Sequence, residues 1–155
     1  MFMKKVANSL ITNPSYDILR LFLERGYKMT KVKVTWKAFG KQPERGRSIT
    51  SVEVELVNQV SDDFRICEAI FKVTNLKDEL AEFGASLTEI NLWETIKPKL
   101  SPTRTHTSLS IGDEIEIDGR AYICADLGFI KVSEAEIRTF PDGAIWSVLK
   151  KEEVA

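Results

Sequence analysis

The chain has few residues of the types that most often carry chemistry. Its 155 residues include one histidine, His106, and two cysteines, Cys67 and Cys124, with no C-x-x-C pair. A structural zinc site needs four such ligands, so we predict neither a metal nor another cofactor. Each cysteine lies in an apolar setting, which predicts two buried free thiols in a reducing compartment, although the sequence leaves a disulfide between them open.

Catalytic signatures are missing as well. No G-x-S-x-G, P-loop or G-x-G-x-x-G motif occurs, and His106 stands near Ser108 and Ser110 with no third group to orient it. The acidic run over 113–118 lacks the pattern of a calcium-binding loop and favours the solvated face of a strand. We therefore predict that the protein is not an enzyme.

Long apolar runs are absent too. No stretch approaches the roughly 20 apolar residues of a membrane span, and residues 1–15 contain two lysines but no continuous apolar segment. This composition argues against a secretory signal. We expect a cytoplasmic protein without a membrane partner.

Charge is unevenly distributed along the chain. Residues 1–50 carry 11 Lys or Arg against 3 Asp or Glu, whereas residues 51–155 carry 11 against 20, which gives the net charge of −1. A basic third can contact phosphates, so a nucleic-acid-binding accessory protein is one alternative. Its contacts would be Lys37, Lys41, Arg45 and Arg47. The interpretation we prefer is that the basic and acidic parts pair with each other.

Alternation of apolar and charged residues predicts a hairpin over 31–57. Residues 31–39 and 48–57 both alternate with period two, and the Gly-, Pro- and charge-rich loop at about 39–47 joins them. One register places every apolar residue opposite an apolar one and every lysine opposite a glutamate. The predicted pairs are Val34 with Val52, Val32 with Val54, Lys33 with Glu53, and Lys31 with Glu55.

Helix signals occur on both sides of this hairpin. A first helix is predicted over 14–25, opened by Asn13-Pro14 and ended by Gly26. A second is predicted from Ser61 to the Asn75 region, and it would bury Phe64, Cys67, Ile70, Phe71 and Thr74. A short helix over 76–83 would follow, and then another that starts after Ser86 or Leu87, ends before Pro98 and uses Leu92, Trp93 and Ile96 as contacts.

The remaining third is rich in strand and turn signals. Asp118-Gly119 is a strong hairpin turn, and the three strands of a β-meander are predicted over 113–132, within a segment 107–132 that follows a linker at about 98–106. The tail, 133–155, should hold a short helix at 133–140, a turn at 141–143 and then a final strand or docking segment.

The predicted fold class is α+β, a single domain over 1–155. Its small antiparallel sheet combines the hairpin–helix unit 31–75 with the meander, and helices pack on one face.

Two further sets of residues suggest ligands. Leu21 and Leu23 cannot both point in the direction of Leu19, so the first helix has more apolar surface than one buried stripe needs. This excess predicts contact with another protein or with a second copy of the chain, as a homodimer. A small molecule held between the sheet and Tyr122 or Phe129, in a protein acting as a sponge, is a further alternative.

A string of residues in the last third is similar to a motif of known proteins. It runs from Thr107 to Asp113 and continues with Asp118-Gly119, Tyr122, Cys124 and Gly128-Phe129. It resembles the C-terminal motif S-x-S-x-G-D-x-x-x-x-x-G-x-x-Y-x-C-x-x-x-G-F of a family of small uncharacterised proteins that phages and plasmids encode. Thr74-Asn75 and Trp93 fit two further positions of that family.

The resemblance spans about 60–132 and implies a context rather than a reaction. It implies an accessory protein of a mobile element, located in the cytoplasm of the host cell. Such a protein would act as a regulator or inhibitor by binding a host protein.

Overall fold

A six-stranded antiparallel sheet organises the chain in the computed structural model, which describes residues 11–12, 15–40, 50–58, 62–101 and 107–150. The strand order is β1-β3-β2-β4-β5-β6. A second, two-stranded sheet pairs β7 with β8. The strands are β1 Ile11–Thr12, β2 Lys28–Trp36, β3 Thr50–Asn58, β4 Glu114–Ile117, β5 Arg120–Ala125, β6 Gly128–Lys131, β7 Ala135–Thr139 and β8 Ile145–Leu149.

Within the described ranges, three α-helices accompany the sheets: α1 Tyr16–Glu24, α2 Asp63–Leu76 and α3 Leu87–Ile96. Short 3₁₀ turns follow α2, α3 and β6, at Lys77–Glu79, Lys97–Lys99 and Val132–Glu134. The predicted α+β fold class is confirmed. The organisation of 1–155 as one domain stays a prediction, and the loop 41–49 and most of the linker, 102–106, lie outside the described residues.

The hairpin register is confirmed at every predicted pair. Sheet pairing depends on which side chains share a face, and a shift by one residue would place the buried valines opposite charged residues. The same register extends from Lys28 opposite Asn58 to Trp36 opposite Thr50. Its central pairs are Lys31 with Glu55, Val32 with Val54, Lys33 with Glu53, and Val34 with Val52.

The meander joins the hairpin through β2 and β4. Val32 lies opposite Ile117 and Val34 opposite Ile115, so the apolar faces of both units form one surface. The turn between β4 and β5 has positive φ at Asp118 and Gly119, 46° and 84°, as a two-residue hairpin turn of this hand requires. Asp118 also binds β2, because its Oδ1 accepts the backbone N–H of Lys31 at 2.9 Å.

The main core lies between this apolar surface and the helices α2 and α3. The predicted contacts of α3, Leu92, Trp93 and Ile96, are all buried, and Ser86 forms a capping box with Glu89 at its N-terminus. The predicted short helix over 76–83 is wrong beyond its first residues, where a 3₁₀ turn leads to a positive φ of 73° at Gly84.

The buried stripe of α2 differs in part from the prediction. Cys67, Ile70 and Thr74 are buried as expected, but Phe64 and Phe71 are exposed, and Ile66 and Val73 are buried in their place. The helix is rotated so that its β-branched side chains face the sheet. The larger phenylalanine rings lie at the margin, where they contact the rings of Tyr122 and Phe129 at centroid distances of 5.2 and 6.1 Å.

The caps of the first two helices also differ from the prediction. The side chain of Ser15 accepts the N–H of Ile18 and caps α1, and Asp62 accepts the N–H of Phe64 and caps α2. The residues predicted for these roles, 13–14 and 61, lie outside the described residues. Gly26 ends the first helix as predicted, with φ of 87°.

The hairpin formed by β7 and β8 packs on the face of the main sheet opposite α2 and α3. The short helix predicted at 133–140 is wrong, since 135–139 forms β7 and only Val132–Glu134 is helical, as a 3₁₀ turn. The predicted final strand is confirmed as β8. Its buried Ser147 donates its hydroxyl to the carbonyl of Cys124 at 2.6 Å, and Ile123 beneath it is fully buried.

Candidate functional site

Helix α1 is attached to the molecule through a small cluster of its own. Within α1, Phe22 is the one fully buried residue, and its ring meets that of Tyr27 edge-on at 4.7 Å. Val57 completes the cluster, with Leu19 and Met29 partly buried around it. Since Val57 alternates with Leu56, which belongs to the main core, α1 packs on the face of the sheet opposite α2 and α3. The prediction that the helices pack on one face is therefore wrong for α1.

Apolar side chains on both sides of Phe22 remain in contact with solvent. Leu21 and Leu23, the two predicted contact residues, are 49% and 45% exposed, and Tyr16 is 78% exposed. Leu21 and Leu23 point in directions about 200° apart around the helix, so Leu23 lies beside Leu19 and Tyr16 while Leu21 lies on the other flank. A shallow pocket of about 340 Å³ is lined by Tyr16, Leu19, Arg20, Leu23 and Glu24.

The predicted nucleic-acid contacts are only partly within the described residues. Lys37 lies at the end of β2 and pairs with Glu114 at 2.6 Å, and both side chains are one-quarter exposed. The Lys37 ammonium group, which was predicted to contact a phosphate, is therefore bound to a carboxylate of the protein itself. Lys41, Arg45 and Arg47 lie outside the described residues.

The exposed strip of β2 and β3 mixes charges of both signs. Lys31 and Lys33 lie opposite Glu55 and Glu53, and Glu116 of β4 lies opposite Lys33 on its other side. These side chains line an open polar groove of about 640 Å³. The register therefore places carboxylates next to the lysines on both sides, which lowers the positive potential that a phosphate backbone would meet.

Tyr122, one of the two predicted ligand contacts, joins α2 to the sheet. Its hydroxyl is buried and donates to Asp63, the first residue of α2. Arg120 donates to the same carboxylate from Nε at 2.7 Å and from Nη2 at 3.0 Å. The hydrogen bond from Arg120 lowers the pKa of Asp63, and burial raises the pKa of Tyr122. The arrangement fixes the start of α2 on β5.

Phe129, the other predicted ligand contact, lines an apolar groove between α2 and the β5–β6 hairpin. The groove has a volume of about 440 Å³, within the range of small-molecule sites. Tyr122 does not line it. The lining residues are Glu68, Phe71, Leu109, Ser110, Ile111, Cys124, Ala125, Asp126, Gly128 and Phe129.

Both cysteines are buried and free, as predicted. Burial raises the pKa of Cys67 to about 12 and that of Cys124 to about 11. Cys124 lies at the base of the groove, but a thiol with this pKa is almost wholly protonated near neutral pH and is a weak nucleophile.

Asp113 has a structural role that sequence reasoning missed. It was grouped with the solvated acidic run, yet it is only 2% exposed. Its carboxylate accepts the backbone N–H groups of Lys37, Ala38 and Ser110 at 2.7 to 2.8 Å. The interpretation as a solvated face holds for Glu116, which is exposed. The Gly-Asp pair could have indicated a carboxylate turned back onto a loop, because such a residue satisfies buried N–H groups.

Comparison of the chain with models of protein families, with curated proteins and with solved structures found no match. None of the helices in the described ranges is both long enough and apolar enough to span a membrane.

Proposed function

We propose that this chain is a non-enzymatic binding protein that acts on a host protein, as a regulator or inhibitor, and that α1 is the element that docks. The observation that supports this proposal is the contrast within α1. Phe22 is fully buried, whereas Tyr16, Leu21 and Leu23 are between 45% and 78% exposed. A helix that needed only to cover its own sheet would carry polar residues at these positions.

The geometry of α1 favours a partner with a groove. A helix fixed along one line, with apolar side chains on both flanks, presents the surface that helix-in-groove complexes bury. Tyr16, Leu19 and Leu23 follow the spacing of three, four and seven residues that such complexes use as anchors. The resemblance to phage and plasmid proteins that we infer from the sequence over about 60–132 is the reason for seeking this partner in a host cell.

Affinity capture with matched variants tests the proposal. The variant L21S/L23S removes apolar side chains that are half exposed, so we expect it to fold. The control F83S/L87S removes side chains that are more exposed, 61% and 72%, at a distance along the chain from α1. The wild-type protein and the control should capture the same host protein from a lysate, and L21S/L23S should lose it. Equal capture by all three proteins, or turnover of a substrate without capture, contradicts the proposal.

The same three proteins separate a host partner from a second copy of the chain. Sedimentation velocity of the purified wild-type protein should give a monomer. A dimer that L21S/L23S dissociates and F83S/L87S does not would assign α1 to self-association and overturn the host-partner proposal.

A further inference from the structure

The sixth strand forms an open edge of the main sheet. β6 is the last strand in the order, and no strand in the described part of the chain lies beyond it. Ala125 and Gly128 flank the two-residue turn between β5 and β6, so their backbone groups bond to each other. Along two antiparallel strands, residue pairs that bond to each other alternate with pairs that do not. The N–H and C=O groups of Phe129 and Lys131 belong to the second kind of pair and therefore point away from β5.

The hydrogen bonds of Cys124 agree with this alternation. Cys124 lies opposite Phe129, yet its N–H donates to the carbonyl of Asp113 at 2.8 Å and its carbonyl accepts the N–H of Gly112 at 2.9 Å. Both backbone groups of Cys124 are thus directed towards the β4 side, and Phe129 receives nothing from β5. The outer backbone groups of β6 are placed to pair with another extended chain.

An apolar groove lies on the α2 face of the sheet, next to the turn between β5 and β6. Phe71 of α2 and Phe129 of β6 both line it, and their rings contact each other edge-on at a centroid distance of 6.1 Å. Leu109 and Ile111 add to its lining. A strand added to β6 would direct every second side chain to the face on which Phe129 lies, beside these two rings.

The groove also has a charge preference. Among the described residues that line it, Glu68 and Asp126 are the charged ones, and both are exposed. Lys131 lies at the far end of β6 and is not among these lining residues. A cationic side chain on the same face of the added strand as the apolar one would therefore meet two carboxylates.

We propose that β6 binds an extended segment of another protein by strand addition. The segment places a bulky apolar side chain against the Phe71–Phe129 pair, and a Lys or Arg two residues away, on the same face of the strand, contacts Glu68 and Asp126. Backbone pairing supplies affinity and the groove supplies selectivity, as in other cases of strand addition. The outward-facing backbone groups of Phe129 and Lys131 favour a peptide over a compact small molecule. This site does not depend on the docking function of α1, which lies at the other end of the sheet order.

Short capped peptides provide the probe. The first has the sequence TKVFVKT, the second is TEVFVET with the lysines replaced by glutamates, and the third is TKVFVKT with alternate amides N-methylated. Binding is followed by amide chemical shifts in the full-length protein. The variants are Phe71→Ser, with Phe83→Ser as the matched exposed control, and Glu68→Lys, with Glu82→Lys as the matched control.

The proposal predicts saturable binding of TKVFVKT with shifts at Phe129 and Lys131. Phe71→Ser should weaken binding about tenfold or more, as loss of an aromatic anchor does, and Phe83→Ser should not. Glu68→Lys should transfer the preference to TEVFVET, which Glu82→Lys should not do. N-methylation on one register should abolish binding. The proposal is overturned if no peptide saturates the protein up to about 1 mM. It is also overturned if the amide chemical shifts of β6 do not change on binding, or if both serine variants weaken binding equally.

Discussion

Arg120 in β5 holds Asp63, the first residue of α2, through two hydrogen bonds of 2.7 and 3.0 Å. The two residues are 57 positions apart in the sequence, and the Asp63 side chain is only 12% exposed. This contact sets the position of α2 on the sheet. It therefore also helps to set where Phe71 lies relative to Phe129, whose ring it contacts.

Replacement of Arg120 by glutamine should lower the free energy of unfolding in a pH-dependent way. The pKa of Asp63 lies below its ordinary value of 3.8, chiefly because of the hydrogen bond from Arg120. A lowered folded pKa contributes stability that is complete above the ordinary value and is lost as the pH falls through the folded value. We expect R120Q to cost about 1–2 kcal/mol near pH 6, and the difference from the wild type to shrink as the pH falls below about 4.

Urea unfolding across this pH range measures the effect, and R138Q is the control. Arg138 pairs with Glu136 at 3.1 Å, but both side chains are largely exposed, so its loss should cost less than about 0.5 kcal/mol. A difference between wild type and R120Q that grows towards low pH contradicts the assignment.

Asp113 should be more important for stability than any exposed carboxylate. In D113N an NH₂ group replaces one of the oxygens that accept the N–H groups of Lys37, Ala38 and Ser110. A donor would then face a donor in a buried position, at a cost of about 3 kcal/mol. In the control, D142N, the exposed side chain can still accept the N–H of Ala144, and the change should stay within about 0.5 kcal/mol. Similar denaturation midpoints for the two variants would show that Asp113 is not an anchor.

The two thiols should resist modification in the folded protein. Their pKa values of about 12 for Cys67 and about 11 for Cys124 reflect burial, and the thiolate is the reactive form. At pH 8, Ellman's reagent should react with neither thiol within minutes in buffer and with both in denaturant. Rapid reaction of one equivalent in buffer would mean that the groove opens to expose Cys124.

Binding of nucleic acid should show no steep dependence on salt. Each phosphate contact with duplex DNA contributes about −0.9 to the slope of log K against log salt concentration. The four predicted cations, Lys37, Lys41, Arg45 and Arg47, would together give about −3.6. Because Lys37 is paired with Glu114, the nucleic-acid alternative retains three cations and a slope of about −2.7. A protein that acts by binding another protein should instead give a slope near zero in fluorescence anisotropy with duplexes and single strands, as we expect here. A slope of about −2.7 or steeper would favour the nucleic-acid alternative.

Parts of the fold were predictable because local signals agreed with long-range ones. The pairing of Lys33 with Glu53 and of Val34 with Val52 follows from alternation alone. Which side chains of α2 are buried could not be predicted in this way, because Phe64 and Phe71 are as apolar as Ile66 and Val73. Which of them faces the sheet depends on the space left by β5 and β6. The failure at β7 has a similar cause, since residues 135–139 have helix-forming character but pair with β8.

The candidate surfaces, too, were predictable only in part. The exposure of Leu21 and Leu23 was predictable, because their angular separation on a helix excludes burial of both on one face. The groove at Phe129 was predicted only as a neighbourhood. Phe71 also lines it, because α2 packs on the sheet with its first residue, Asp63, bound to Arg120 of β5. No local pattern in the sequence indicates this packing.

Photocrosslinking in the host cell tests the docking role of α1 most directly. A benzoylphenylalanine is placed at position 21 in one variant and at position 83 in another, both exposed apolar positions. The account predicts a discrete adduct with a host protein from position 21 and none from position 83. No adduct from position 21, the same adducts from both positions, or an adduct with the mass of two copies of this chain would contradict it.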